Sequence, residues 1–583
     1  MKKGLLLCLM ALGVAATAQV NRVGSRLPQG FKKANAVATV KNSSAKLQKL
    51  NENIDNGIPF SGSSSKTYTA PTHSAHRNAN TVSIEEAVIG YSGYDMQTNA
   101  TISNRLVRSD DGTMSAVWTF SSQTATYSDR GTGYNYYDPN SANLWSNGWF
   151  DPITSNGPGL GTITRTESVR TGFTNICVTG SGAELSIAHS STIFPGSIVM
   201  HQNRRATKGT GAWTGRALID TATSGLYYGL WGKAIADGDY VHAIWRASSV
   251  DASGAASTAI ARNGQTGELL YGRSNDGGAT WGILSQGNPL IDSTYNLGFG
   301  GDAYSIDAKN GVVAIAYSGI STDVGILKST DNGNTWTRTV IQQFPIPFFD
   351  EAHNLTDLNN DGVIDTVDSN GEDAHVLIDD NGMCHVWFSA MRMLNSDTTD
   401  GSYSYFPNED GMYYWNESMG TNNYVLITGV VDANGDGTIN LPTSTTCSLL
   451  AGYYGGCGLT CMPSAGIDAN GTIYLCYQSI CEACDTTTFT SGSYQARRHV
   501  YVMYSTDHGA TWSTPEDIVP TTAQGGSGEG QEAAYGCMAR KVDSDIYILY
   551  QRDTQPGNSL YTAGTCDEIN NHGAGPSDIV VAK

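Results

Sequence analysis

From about residue 83 onward the chain is built of short stretches in which apolar and polar residues alternate, each ended by Gly, Asp or Asn. That two-residue period belongs to half-buried β-strands, and no long stretch carries the 3.6-residue period of an amphipathic helix. A turn followed by a strand of the form hydrophobic-x-hydrophobic-aromatic recurs seven times, as in "SDDGTMSAVW" (109–118), "ADGDYVHAIW" (236–245) and "DANGTIYLCY" (468–477). The turns are anchored at Gly112, Gly182, Gly238, Gly311, Gly382, Gly471 and Asp545, at intervals of 56 to 89 residues, room for four strands each. The pattern predicts an all-β chain folded as a seven-bladed β-propeller, with six blades as the alternative count.

A second repeat lies inside the first. Ser-x-Asp-x-Gly-x-Thr-Trp occurs as "SNDGGATW" (274–281), "STDNGNTW" (329–336) and "STDHGATW" (505–512), where a blade's third strand should turn into its fourth. The Asp carboxylate can accept backbone N–H bonds across such a hairpin, Gly supplies a left-handed residue, and Trp packs the outer strand inward. Trp145 falls at the same step of the first unit, beside Trp281, Trp336 and Trp512. The last unit supplies only three strands before the sequence stops, so "SIEEAVIGYSGYD" (83–95) is expected to add the fourth and close the ring.

The three copies resemble the Asp-box, or BNR repeat, of the sialidase-like β-propellers. In that family the box sits at the blade periphery, so it numbers the strands and does not locate an active site. The resemblance further implies arginines for a sugar carboxylate, an acid, and a Tyr nucleophile polarised by Glu, a neutral nucleophile that an anionic sugar does not repel. Residue by residue this falls on Arg105 in strand one of the first blade and on Asp129 in that blade's loop between strands two and three. Tyr535 begins strand one of the last blade, with Glu532 or Glu529 beside it. Arg246, Arg392 and Arg552 each follow a second strand and match no family position.

Composition narrows the setting. The start, "MKKGLLLCLMALGVAATAQ", has a basic end, a short apolar run and Ala-Thr-Ala before Gln19, which reads as a bacterial export signal of residues 1–18. Residues 19–82 read as a basic flexible linker, with nine Lys and Arg against two acids between 21 and 80. The propeller is expected to span 83–583. No later apolar run is long enough to cross a bilayer, and a formal charge of −20 argues against nucleic acid as a partner. Outside Cys8 there are ten cysteines, six of them between Cys447 and Cys484. In an exported protein they read as disulfides, with zinc at "CGLTC" and "CEAC" as the alternative.

Two loops carry calcium-ligand spacing. "DLNNDGVIDTVD" places Asp357, Asn359, Asp361, the Val363 carbonyl, Asp365 and Asp368 at positions 1, 3, 5, 7, 9 and 12, with Gly362 at the turn. "DANGDGTIN" offers Asp432, Asn434, Asp436, the Thr438 carbonyl and Asn440. Calcium is expected there as a structural ion stiffening long connections on the ligand face. Two functions follow. One is a secreted or surface-held propeller that binds extracellular glycan or protein without catalysis. The other is an exo-sialidase or related glycoside hydrolase acting on terminal acidic sugars.

Overall fold

The computed structural model describes most of residues 84–583, apart from internal stretches such as 141–148, 150–163, 191–197, 219–228, 248–262, 433–438, 441–453, 521–530 and 561–575, and three short strands before residue 84. Seven antiparallel sheets form the blades of a propeller. Five blades have four strands each among the described residues, the fifth is part of an eight-stranded sheet, and the first has Leu106–Arg108, Met114–Phe120 and Gly131–Tyr137. Inner strands Thr171–Val178, Gly229–Asp237, Tyr304–Lys309, His375–Ile378, Thr460–Ile467 and Glu532–Met538 follow one another round the axis. Arg105 and Cys537 join the last inner strand to the first, the Arg105 amide donating to the Cys537 sulfur at 3.3 Å.

The seventh blade completes itself as the sequence predicts. Ser577–Ala582 pairs antiparallel with Glu86–Ser92, Ser577 opposite Ser92 and Ala582 opposite Glu86. Glu85 and Lys583 exchange both backbone hydrogen bonds, at 3.1 and 2.9 Å. The six anchor glycines, Gly112 to Gly471, all have φ between +57° and +84°, the left-handed turn conformation for which Gly has no Cβ penalty.

Inner strands are buried on both faces and rich in small residues, "TCMPSAGI" and "EAAYGCM" being wholly buried, because neighbouring blades converge toward the axis. Four of them carry a register-shifting bulge, between Gly172 and Asn175, Leu230 and Lys233, Cys461 and Ser464, and Ala534 and Cys537. At each bulge one bulky residue has positive φ: Phe173, Trp231, Met462 and Tyr535. A bulge re-aims a side chain, and all four enter one apolar cluster.

The Asp-boxes tie blades together. In each copy the Ser hydroxyl accepts the amide of the Gly four residues on, at 2.8 Å. The Asp carboxylate takes the Thr amide at 2.7 to 2.8 Å and the Thr hydroxyl as well. The Trp then packs on the preceding blade: Trp336 lies 5.2 Å from the Tyr271 ring and Trp512 5.3 Å from that of Tyr414, while the Trp281 indole donates to Gln202 at 2.7 Å.

Within 19–82, Ala36–Lys41 pairs with Ser402–Tyr405 in the fifth blade's sheet, and Thr67–Tyr68 forms a two-stranded sheet with Ile439–Asn440. One expectation needs correction. The cysteines are not uniformly oxidised. Cys457 is bonded to Cys461, and Cys481 is also in a disulfide, so the "CGLTC" pair is not a zinc site. Cys177, Cys384, Cys476 and Cys537 are buried free thiols on strands of different blades, packed as small apolar side chains. Among the described residues no helix is long and apolar enough to cross a membrane.

Candidate functional site

Arg105 and Tyr535 meet at the axis. Both are buried, at 0% and 1% exposure, and the Arg105 guanidinium donates to the Tyr535 carbonyl and, at 3.4 Å, to Gln97. Tyr535 stands at its blade's bulge, the position that Phe173, Trp231 and Met462 hold in theirs, so its address is one of a set of packing positions. The Tyr454 ring lies edge-on to it at 5.3 Å.

Glu532 is also buried, and its carboxyl meets Tyr454 and not Tyr535: the Tyr454 hydroxyl donates to it at 2.6 Å and the Arg498 amide at 2.5 Å. Burial pushes this acid up to about 7, against the help of those donors. Arg498 reaches over to the carbonyls of Gly458 and Leu459, at 2.9 and 2.8 Å, and so holds the loop closed by Cys457–Cys461 above the axis. Sequence reasoning singled out neither Tyr454 nor Arg498. The available signal was the Cys-rich stretch itself, since a disulfide-closed loop needs an anchor.

Asp129 lies in the expected loop, but Ser121 and Ser122 take its carboxylate, the Ser122 amide at 2.8 Å. These donors hold its pKa below the usual value against partial burial. Glu529 lies outside the described residues. Arg392 is paired with Asp368 and Glu409, and Arg552 with Glu86 and Asp578. Arg246 has no carboxylate partner among the described residues; it is fully buried, its Nε donates to the Phe299 carbonyl at 2.7 Å, and burial lowers it to about 10.

The first calcium-spaced loop folds as a tight turn. Asp357 accepts the amides of Asp361 and Gly362 at 3.0 and 2.9 Å, Asn359 also accepts that of Asp361, and Asp361 that of Val363 at 2.8 Å. Asp365 is buried and accepts the Leu358 amide at 3.0 Å. The side-chain oxygens at positions one, three, five and nine are of the kind a hard divalent cation takes, and here they accept backbone amides. Asp368, at position twelve, lies in strand Val367–Asn370 and faces Arg392 at 3.2 Å. In the second loop Asp432 is buried; Asn434, Asp436, Thr438 and the Asn440 side chain lie outside the described residues.

Off the axis, the loops of blades three, four and five that join strand four to strand one and strand two to strand three enclose a cavity of about 620 Å³. Asp323 accepts the Tyr295 hydroxyl and the Phe344 amide, each at 2.7 Å, and so fixes two of its walls. Glu372, also on the wall, is pushed up to about 7 by burial and by the charges of Asp302 and Asp373. The cavity at the axis itself is about 40 Å³.

No protein-family model matches the chain, and no curated protein does. Solved structures similar to it include Trypanosoma rangeli sialidase with the inhibitor DANA, at 12% identity and a TM-score of 0.33 over 72% of this chain and 59% of that one. They also include a Hadza microbial sialidase (14%, TM-score 0.33, 77% and 73% covered) and the Podospora anserina α-L-arabinofuranosidase with cellotriose (13%, 0.27, 63% and 93%). The chain thus resembles sialidases and another glycosidase at low identity, and spans 59% of the length of the first of them.

Proposed function

We propose that this is an exported, sialidase-like propeller that binds an extracellular glycan on its loop face and does not hydrolyse it. The observation that carries the reading is the burial of Arg105, Glu532 and Tyr535 beneath Tyr454. A nucleophile must come within about 3–3.5 Å of its sugar carbon; here Tyr535 is buried, with the Tyr454 ring packed against it. Calcium, held by Asp357, Asn359, Asp361, the Val363 carbonyl and Asp365, supplies stiffness. Its loop continues the connection that contributes Phe344 to Ala352 to the cavity wall.

The test is hydrolysis of a fluorogenic sialoside by purified residues 19–583 and by Tyr535→Phe, with calcium and with chelator, beside binding to immobilised glycans. We expect no turnover, glycan capture, and a melting temperature raised by calcium. Turnover that Tyr535→Phe abolishes would establish the hydrolase instead.

A further inference from the structure

The geometry points to the cavity between blades three, four and five as the glycan site, and to a neutral, hydroxyl-rich sugar chain as its occupant; this rests on the glycan-binding reading above. Its volume, about 620 Å³, falls in the range of small-ligand sites, whereas the axial cavity of about 40 Å³ holds little more than a water molecule. Phe348 on its wall is 46% exposed and has a φ of +54°. A bulky residue in the left-handed region is a conformational outlier, and such strain gathers at ligand clamps. What it achieves here is an aromatic ring left in water at the cavity wall.

Behind Phe348 the wall is firm. Phe349 stands edge-on to both Phe344 and Tyr403 at 5.9 Å, and all three are buried. Leu297, 44% exposed, adds a second apolar surface. One face of a pyranose ring is largely C–H, and an exposed aromatic ring over a rigid base matches that face.

Charge selects among sugars. The wall carries four carboxyl groups, on Asp323, Asp350, Glu351 and Glu372, against one guanidinium, that of Arg246. Arg246 is fully buried, with its Nε on the Phe299 carbonyl and its Nη1 unpaired, so a single buried cation stands against four carboxyl groups. The Glu372 oxygens pack against Gly300 and Gly456, where a Cβ would fall only 3.1 or 2.8 Å away. Carboxyl oxygens accept hydrogen bonds from hydroxyls, and those of Asp323, Asp350 and Glu351 together disfavour an acidic sugar.

The test uses residues 19–583 with two probe sets on one surface: cellohexaose, chitohexaose and mannohexaose as neutral chains, and 3′-sialyllactose and hexagalacturonate as acidic ones. Phe348→Gly removes the ring and relieves its φ, so the variant should fold. Tyr504→Ala removes an exposed ring far along the sequence, on blade six, as control. The expected result is binding of at least one neutral chain, weakened tenfold or more by Phe348→Gly and unchanged by Tyr504→Ala, with the acidic probes weaker. Preference for acidic probes, or indifference to Phe348→Gly, overturns this assignment while glycan binding stands. Failure of every glycan to bind a folded sample overturns both.

Discussion

Glu532 is where the sequence most invites a catalytic reading and where the side chain's neighbours argue for a structural one. Burial, helped by the charge of Asp553, outweighs the Tyr454 hydroxyl, the Arg498 amide and the Arg498 charge and raises the Glu532 carboxyl to about 7. An unfolded Glu titrates near 4.5. Between those values the folded state holds a proton that the unfolded state has lost. The stability from this group is therefore complete below about 4.5 and lost as pH rises to about 7, on the order of 3 kcal/mol in all. Glu532→Gln, which stays neutral, should flatten the fall in stability from pH 5 to 8 measured by chemical denaturation. An unchanged slope would mean that the carboxyl is ionised in the fold.

At the scale of the element, the Asp-box works as a local hairpin and as a rivet between blades. Asp331 and Asp507 are each held near a pKa of about 2, Asp331 chiefly by the Thr335 amide and Asp507 by the Thr511 hydroxyl. A depressed folded pKa contributes stability above the unfolded value of 3.8 and loses it as pH falls toward about 2. Asp507→Asn should thus lower the melting temperature at pH 6 more than at pH 2.5; an equal loss at both would assign the effect to shape alone. These hairpins, the anchor glycines and the closing strand were legible because turn chemistry lies within a few consecutive residues. The bulges were not. Aiming Phe173, Trp231, Met462 and Tyr535 depends on a one-residue register slip, which alternation of side chains does not record, although each of these residues is followed by Thr, Gly, Pro or Gly. The cavity was hidden for another reason: Arg246, Leu297, Phe348 and Glu372 are distant in sequence and meet only once three blades are stacked.

At the scale of the molecule, the blades are held as a closed ring by one borrowed strand. Removing residues 84–92 would leave Ser577–Ala582 as a bare edge rich in Val and Ile. Such an edge pairs with other chains, so the shortened protein should elute as dimers or aggregates in size-exclusion chromatography with light scattering. A stable monomer with the native melting temperature would remove the closure from the account. The same strand also imposes a schedule. Glu86–Ser92 and Ser577–Ala582 are separated in sequence by all the other blades, so the first propeller strand must wait until the whole ring has been made before it finds its partner. Locking the ring is then the most non-local pairing of the fold, and its loop-closure entropy makes it a slow step of folding.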